Sequence, residues 1–168
     1  QLSLIGYSEG GYATLAAQMV MEQELSDEFD ITISFPMAGP YDLSGTMVNK
    51  MLEDDLYGEP FYLPYLLYSY LTYYDMGTVE DYFLPEFSNV IDSQYGGDYG
   101  AGYLNNYMND NNYNPPKLCL KAEVIANFEI DINHIFRQVL AYNDLYDWAP
   151  QSQTYLFHAI GDELIPYE

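Results

Sequence analysis

Leu2-Ser3-Leu4-Ile5-Gly6-Tyr7-Ser8-Glu9-Gly10-Gly11 opens the chain with an apolar run that passes straight into Gly-x-Ser-x-Gly. Tyr12, Ala13, Leu15, Ala16, Ala17 and Met19 then continue as a helix-forming segment. Strand, sharp turn and helix in that order are the setting in which G-x-S-x-G lifts a serine nucleophile onto an exposed corner. A serine there is expected to hold a strained backbone. Gly6 and Gly10 are expected to flank it because a side chain at either would collide across the turn. The helix that starts beside Ser8 aims its unpaired N–H groups and its positive dipole end at the serine. The backbone N–H of Glu9 is therefore expected to help hold an oxyanion. A glycine-serine turn between strand and helix in any α/β protein would share these letters, and the two correct flanks favour the nucleophile elbow.

Two further stretches match in kind. Ile31-Thr32-Ile33-Ser34-Phe35 alternates as a strand and is followed by Pro36-Met37-Ala38-Gly39-Pro40-Tyr41-Asp42-Leu43. Near the far end, residues 154–159 (Thr-Tyr-Leu-Phe-His-Ala) predict a short strand, followed by Ile160-Gly161-Asp162-Glu163-Leu164-Ile165-Pro166. On these residues the chain resembles the α/β-hydrolase superfamily, in its bacterial esterase and secreted lipase-like branch. Many members carry His-Gly-x-x-Asp-x-x-Val-Pro where a strand delivers the triad acid. Here His158, Asp162, Ile165 and Pro166 stand in the matching places, and Ala159 replaces the glycine. The resemblance implies Ser8 as nucleophile and Asp162 as the acid that orients the catalytic histidine. Asp42 is the alternative acid, since some lipases place theirs after the earlier strand. Two local roles compete with these: Asp162 as an Asx turn and Asp42 as a helix N-cap before Leu-Ser-Gly-Thr-Met.

The family's histidine follows its acid, and only His134 and His158 are present here. His158 sits at a position that helps fold the acid loop. His134 is expected on the solvated side of a helix whose apolar stripe is Ile132, Ile135, Phe136, Val139 and Leu140. Neither is expected to be the base, so the catalytic histidine is absent from the chain. The second oxyanion donor comes earlier in the family's sequences than residue 1. The expectation is an internal fragment of a longer hydrolase, inactive by itself. Its fold class would be α/β: a partial α/β-hydrolase fold, with parallel strands, flanking helices and a large, mostly helical cap insertion. The expected divisions are a core at 1–43 (elbow strand, helix, next strand), the cap at 44–150, and a core strand with its acid loop at 151–168.

The chain has 168 residues, 49% of them hydrophobic, enough to bury a core. With 26 acidic residues against four basic ones (Lys50, Lys117, Lys121, Arg137), its net charge is −22. That balance repels nucleic acid and anionic membranes, so neither is an expected partner. It accords with a secreted or cell-envelope protein without fixing the compartment or the oligomeric state. No apolar run reaches the roughly 20 residues of a transmembrane helix. No Cys/His pair has zinc spacing, and Asn109-Asp110-Asn111-Asn112 lacks the glycine and closing glutamate of a calcium loop, so it reads as a polar turn. No metal or cofactor is expected. Cys119, between Leu118 and Leu120, reads as a buried apolar residue.

Between the second and third strands lie roughly 110 residues, far more than one crossover helix needs. Helices are predicted at 45–53, 63–76 and 131–144, broken up by Pro60, Pro64, Pro85, Pro115 and Pro116, with a flexible loop at 96–102. Fifteen of the 20 tyrosines fall in 44–150. Tyrosine joins an apolar face to a polar tip, which suits a cap over a half-wet cleft. Tyr65 and Tyr68 are candidates for substrate contact, with plain aromatic packing as the alternative. Trp148 reads as a packing anchor. The expected function is hydrolysis of small-molecule carboxylic esters through an acyl-enzyme on Ser8. A serine peptidase of the same fold and a non-catalytic binding scaffold are the alternatives.

Overall fold

Alternation along residues 2–7 builds strand β1 (Leu2–Tyr7), with Leu2, Leu4 and Gly6 half-buried and Ser3, Ile5 and Tyr7 facing out. The structure is a computed structural model that describes residues 1–167. Helix α1 (Glu9–Gln23) follows at once and carries the chain back to β2 (Ile31–Met37), which pairs parallel to β1. A helical return is what a parallel pair requires. α1 packs on both strands. It lies so close to β2 that a Cβ built on Gly11 would fall 2.2 Å from the Met37 carbonyl oxygen.

β3 (Gln153–Thr154) lies on the other side of β2, giving a three-stranded parallel sheet in the order β1-β2-β3. This is the expected α/β class, but two strand limits differ from expectation. β2 runs on through Pro36 to Met37, and the strand expected over 154–159 shrinks to two residues plus an isolated bridge, Met37 to Phe157. One residue accounts for the break. Tyr155 N–H donates to the Ser34 carbonyl and Ala38 N–H to the Phe157 carbonyl, so even-numbered positions of β2 face β3. Pro36 occupies the position between them and has no N–H to offer.

The chain divides into two compact units, Gln1–Met47 with Asn143–Glu168, and Val48–Tyr142. In the first unit, α1 covers one face of the sheet. The other face presents Ile5, Tyr7, Phe35, Met37, Tyr155 and Phe157 in register; Ile5 is 70% and Tyr7 67% exposed, and the Phe35 and Tyr155 rings stack at 5.7 Å.

After β2 a short π-helical turn (Leu43–Met47) leads into the second unit, where the helix predicted over 45–53 is reduced to α2 (Val48–Met51). α3 (Tyr62–Tyr74) matches its prediction closely. The composition of the stretch after it hides four helices: α4 (Val79–Tyr82), α5 (Pro85–Tyr95), α6 (Ala101–Asp110) and α7 (Ala122–Ile130). Pro85 opens α5 at its first turn, where a missing N–H costs nothing, rather than breaking it. The loop expected over 96–102 gives way to α6 at Ala101. α8 begins at Ile135 (Ile135–Tyr142), not Asp131, because the Asp131 carboxylate accepts the Asn133 N–H and turns the chain. Ile132 therefore lies outside the helix, and Ile132 and Ile135 are exposed while Phe136, Val139 and Leu140 are buried.

The core of this second unit is aromatic. Phe83 and Phe87 are fully buried and stack at 5.2 Å; Phe87 also meets Tyr113 edge-on at 5.1 Å. Leu63, Leu67, Ile91 and Met108 complete it. Cys119 is buried and unpaired, and burial drives its thiol far above the usual range, as befits a packing residue.

Candidate active site

Ser8 is where β1 ends and α1 begins, and its backbone sits at φ 57°, ψ −122°, a region sparsely populated for any side-chain-bearing residue. Holding it there costs on the order of 1–3 kcal/mol. Its N–H donates to the Met37 carbonyl at 2.9 Å, and its own carbonyl accepts from Gly11 and Tyr12. A serine at a helix N-cap normally spends its hydroxyl on an N–H of the first turn. Ser8 makes no such bond, so the hydroxyl is left uncommitted at a strained corner. The N–H of Glu9, in the first turn of α1, has no acceptor among the described residues.

Gly6 is required as expected: a Cβ there would lie 1.9 Å from the Gly10 carbonyl oxygen. Gly10 corrects the expectation. A Cβ on Gly10 meets nothing within 4 Å, because that residue faces away from β1 and contributes only its carbonyl to the contact. The second glycine the close packing demands is Gly11, against Met37.

Parallel strands place their following loops on one edge. Ser8 follows β1, Asp42 follows β2, and His158 to Asp162 follow the Phe157 bridge, so all stand beyond the carboxyl edge of the sheet. The two candidate acids differ in what their oxygens do. Asp42 Oδ1 accepts the Gly45 N–H, and its Oδ2 accepts both the N–H and the hydroxyl of Thr46. Both oxygens are thus spent capping the π-helical turn. The Asp162 carboxylate, 16% exposed, accepts the Leu164 and Ile165 N–H groups with Oδ1 alone, each at 3.0 Å. Its Oδ2 lies 3.6 Å from His158 Nε2, beyond hydrogen-bond length. His158 Nε2 is instead 2.7 Å from the Ile165 carbonyl, closing the loop on itself. Asp162 is thereby oriented through one oxygen and open at the other.

Several residues that hold this rim were not visible in the sequence. Asp144 accepts the N–H groups of Leu43 and Ser44 and the Ser44 hydroxyl, steadying the segment after Asp42. Tyr12 donates its hydroxyl to the Asn143 carbonyl at 2.7 Å, and the Leu145 N–H donates to the Tyr41 carbonyl. Trp148, which the sequence offers as a packing anchor, donates its indole N–H to the Leu145 carbonyl.

In the second unit, Tyr68 donates to Asp92 at 2.9 Å; burial first, then that bond and charge, raise its phenol pKa. Tyr65 packs edge-on to Phe61 at 6.1 Å. His134 corrects the expectation of a solvated residue. Its ring stands 5.7 Å from Phe128, Nδ1 accepts the Phe136 N–H, and burial lowers its pKa despite nearby Asp131. Among the described residues no group of three or more His, Cys, Asp or Glu side chains is placed to hold a metal ion. Among them, too, no helix is long and apolar enough to cross a membrane.

No protein-family model matches the chain, and no curated protein matches it in sequence. Solved structures do. The rice cell wall degrading esterase LipA from Xanthomonas oryzae superposes with a TM-score of 0.85 at 25% identity, over 99% of this chain and 44% of LipA. A proposed hydrolase from Legionella pneumophila gives 0.83 at 26% identity, over 99% of this chain and 43% of its own. The chain has a partial α/β-hydrolase fold. Candida antarctica lipase A, at 21% identity and a TM-score of 0.60 over 38% of its length, shares the α/β-hydrolase fold and supports no more than that. The chain spans less than half the length of each of these α/β-hydrolase structures.

Proposed function

We propose that the chain is part of a longer serine hydrolase acting on carboxylic esters, with Ser8 as nucleophile and Asp162 as triad acid. The observation that carries this is the Ser8 corner: a strained serine at a helix N-terminus that declines the capping bond open to it, beside an unpaired Glu9 N–H. That costs stability, and a reactive hydroxyl is the return. In this mechanism Ser8 Oγ attacks the ester carbonyl and gives its proton to a histidine supplied from outside these residues. The Glu9 N–H takes part of the oxyanion charge. The histidine returns the proton to the departing alcohol, and water then hydrolyses the acyl-enzyme. Asp162 accepts from the histidine through Oδ2, the oxygen its own loop leaves unused.

LipA's description as an esterase supports the ester class. Residues 48–142 stand in chain order where the family inserts a cap, and we assign them that role, with Tyr65 and Tyr68 as candidate acyl or alcohol contacts. The test is a fluorophosphonate probe and a chromogenic ester on the longer protein. Ser8→Ala is expected to abolish labelling and to cut kcat on the order of 10⁴-fold or more. Asp162→Asn is expected to cost about 10⁴-fold, as loss of a triad acid does, and Asp42→Asn far less. Absence of labelling in the folded parent would favour a binding scaffold, and amide cleavage ahead of ester cleavage a peptidase.

A further inference from the structure

The helix that starts at Ser8 also grips the strand that leads to Asp162. Gln18 and Glu22 stand one turn apart on α1, and the Gln18 amide donates to Glu22 Oε1 at 2.9 Å. The same amide donates to the Thr154 hydroxyl at 2.8 Å, and Gln18 is completely buried. Glu22 accepts the Gln151 N–H on Oε2 at 2.6 Å and the Ser152 N–H on Oε1 at 3.0 Å. Thr154 in turn donates its hydroxyl to the Ser152 carbonyl at 3.0 Å. One carboxylate and one amide thus clasp three residues, Gln151, Ser152 and Thr154, just before the acid loop.

The clasp matters because the sheet holds this strand so lightly. β3 pairs over two residues, loses its partner opposite Pro36, and touches β2 again only at Phe157. The bonds to Glu22 are charge-assisted, and such bonds are shorter and stronger than neutral ones. α1 is a continuous 15-residue helix, so a grip near its last turn is rigidly tied to the corner at its first. We propose that Gln18 and Glu22 are positioning residues that set the acid-bearing strand against the nucleophile's helix, so that Asp162 reaches its working place only while the clasp is closed. This rests on the assignment of Ser8 and Asp162 made above.

The experiment uses the full-length protein carrying this sequence and a chromogenic short-chain ester. Glu22→Ala is expected to lower kcat about tenfold with little change in KM, since misplacement by a fraction of an ångström erodes the oriented arrangement. It is also expected to move the acidic limb of the kcat/KM–pH profile, which reports the histidine whose charge Asp162 steadies. Thr154→Val keeps the side-chain shape but removes the hydroxyl that Gln18 holds, and should shift the limb the same way by less. Glu22→Gln retains an oxygen acceptor and should recover part of the loss. Folded Glu22→Ala and Thr154→Val proteins with a lower Tm but parental kcat and an unmoved acidic limb overturn the clasp. Full turnover in Ser8→Ala overturns the nucleophile assignment and the clasp with it, and that failure is recognised by Ser8→Ala alone.

Discussion

A side chain on residue 6 would have to occupy space already taken by the Gly10 carbonyl, 1.9 Å away, whereas one on residue 10 would enter open space. The two glycines of one motif therefore answer differently to the same change. Gly6→Ala in the parent protein is expected to destabilise by about 3 kcal/mol, because backbone has to give way. Gly10→Ala, in the first turn of α1, is expected to stabilise by roughly 0.5–1 kcal/mol by removing a flexible residue from a helix. Thermal unfolding of the two variants checks the pair, and equal losses would contradict the geometry. Ser8 and Gly6 were legible in the sequence because strain and a tight corner restrict which residues fit, and the restriction is local. Gly11 was not, since its constraint comes from Met37 on another strand. Asp144 was not either, since the N–H groups it accepts belong to residues 100 and 101 positions away. The motif around Asp162 could be read in the sequence, but the difference in bonding between it and Asp42 could not: Asp42 accepts hydrogen bonds on both oxygens and Asp162 on Oδ1 alone, which no motif contains.

At the scale of elements, the seam between α1 and β3 depends on a carboxylate. Burial alone would raise the Glu22 pKa, but the hydrogen bonds from Gln151, Gln18 and Ser152 outweigh it and leave the value lowered. A folded-state pKa below the unfolded one means that the unfolded chain binds the proton first as pH falls. The seam's contribution is therefore complete above the ordinary glutamate range and is lost as pH drops from that range through the lowered value. Denaturant unfolding of the parent protein across this acidic window should show stability falling, with a shallower fall in Glu22→Gln; identical slopes would mean that Glu22 is not coupled to folding. Elements were read from the sequence unevenly. β1, α1 and α3 announced themselves through periodicity and flanks. α4 to α7 did not, because prolines and glycines that act as helix starts in α5 and α6 look like breakers when read alone.

For the whole molecule, the fold class was legible from three short stretches, while most of the second unit was not, since its order comes from aromatic packing among distant residues. The uncovered sheet face has its own consequence. Ile5, Tyr7, Tyr155 and Phe157 are all well over a third exposed, next to a β1 edge that no other strand of the described residues pairs. Such a face with an open edge favours association, and the charge of −22 opposes it. Residues 1–168 produced alone are expected to self-associate increasingly as salt screens that charge; sedimentation showing a monomer at both low and high salt would contradict this. Pro36 bears on something else. Because the ladder is interrupted opposite it, the segment entering the acid loop meets β2 again only at Phe157, and that single bridge fixes where the loop leaves the sheet.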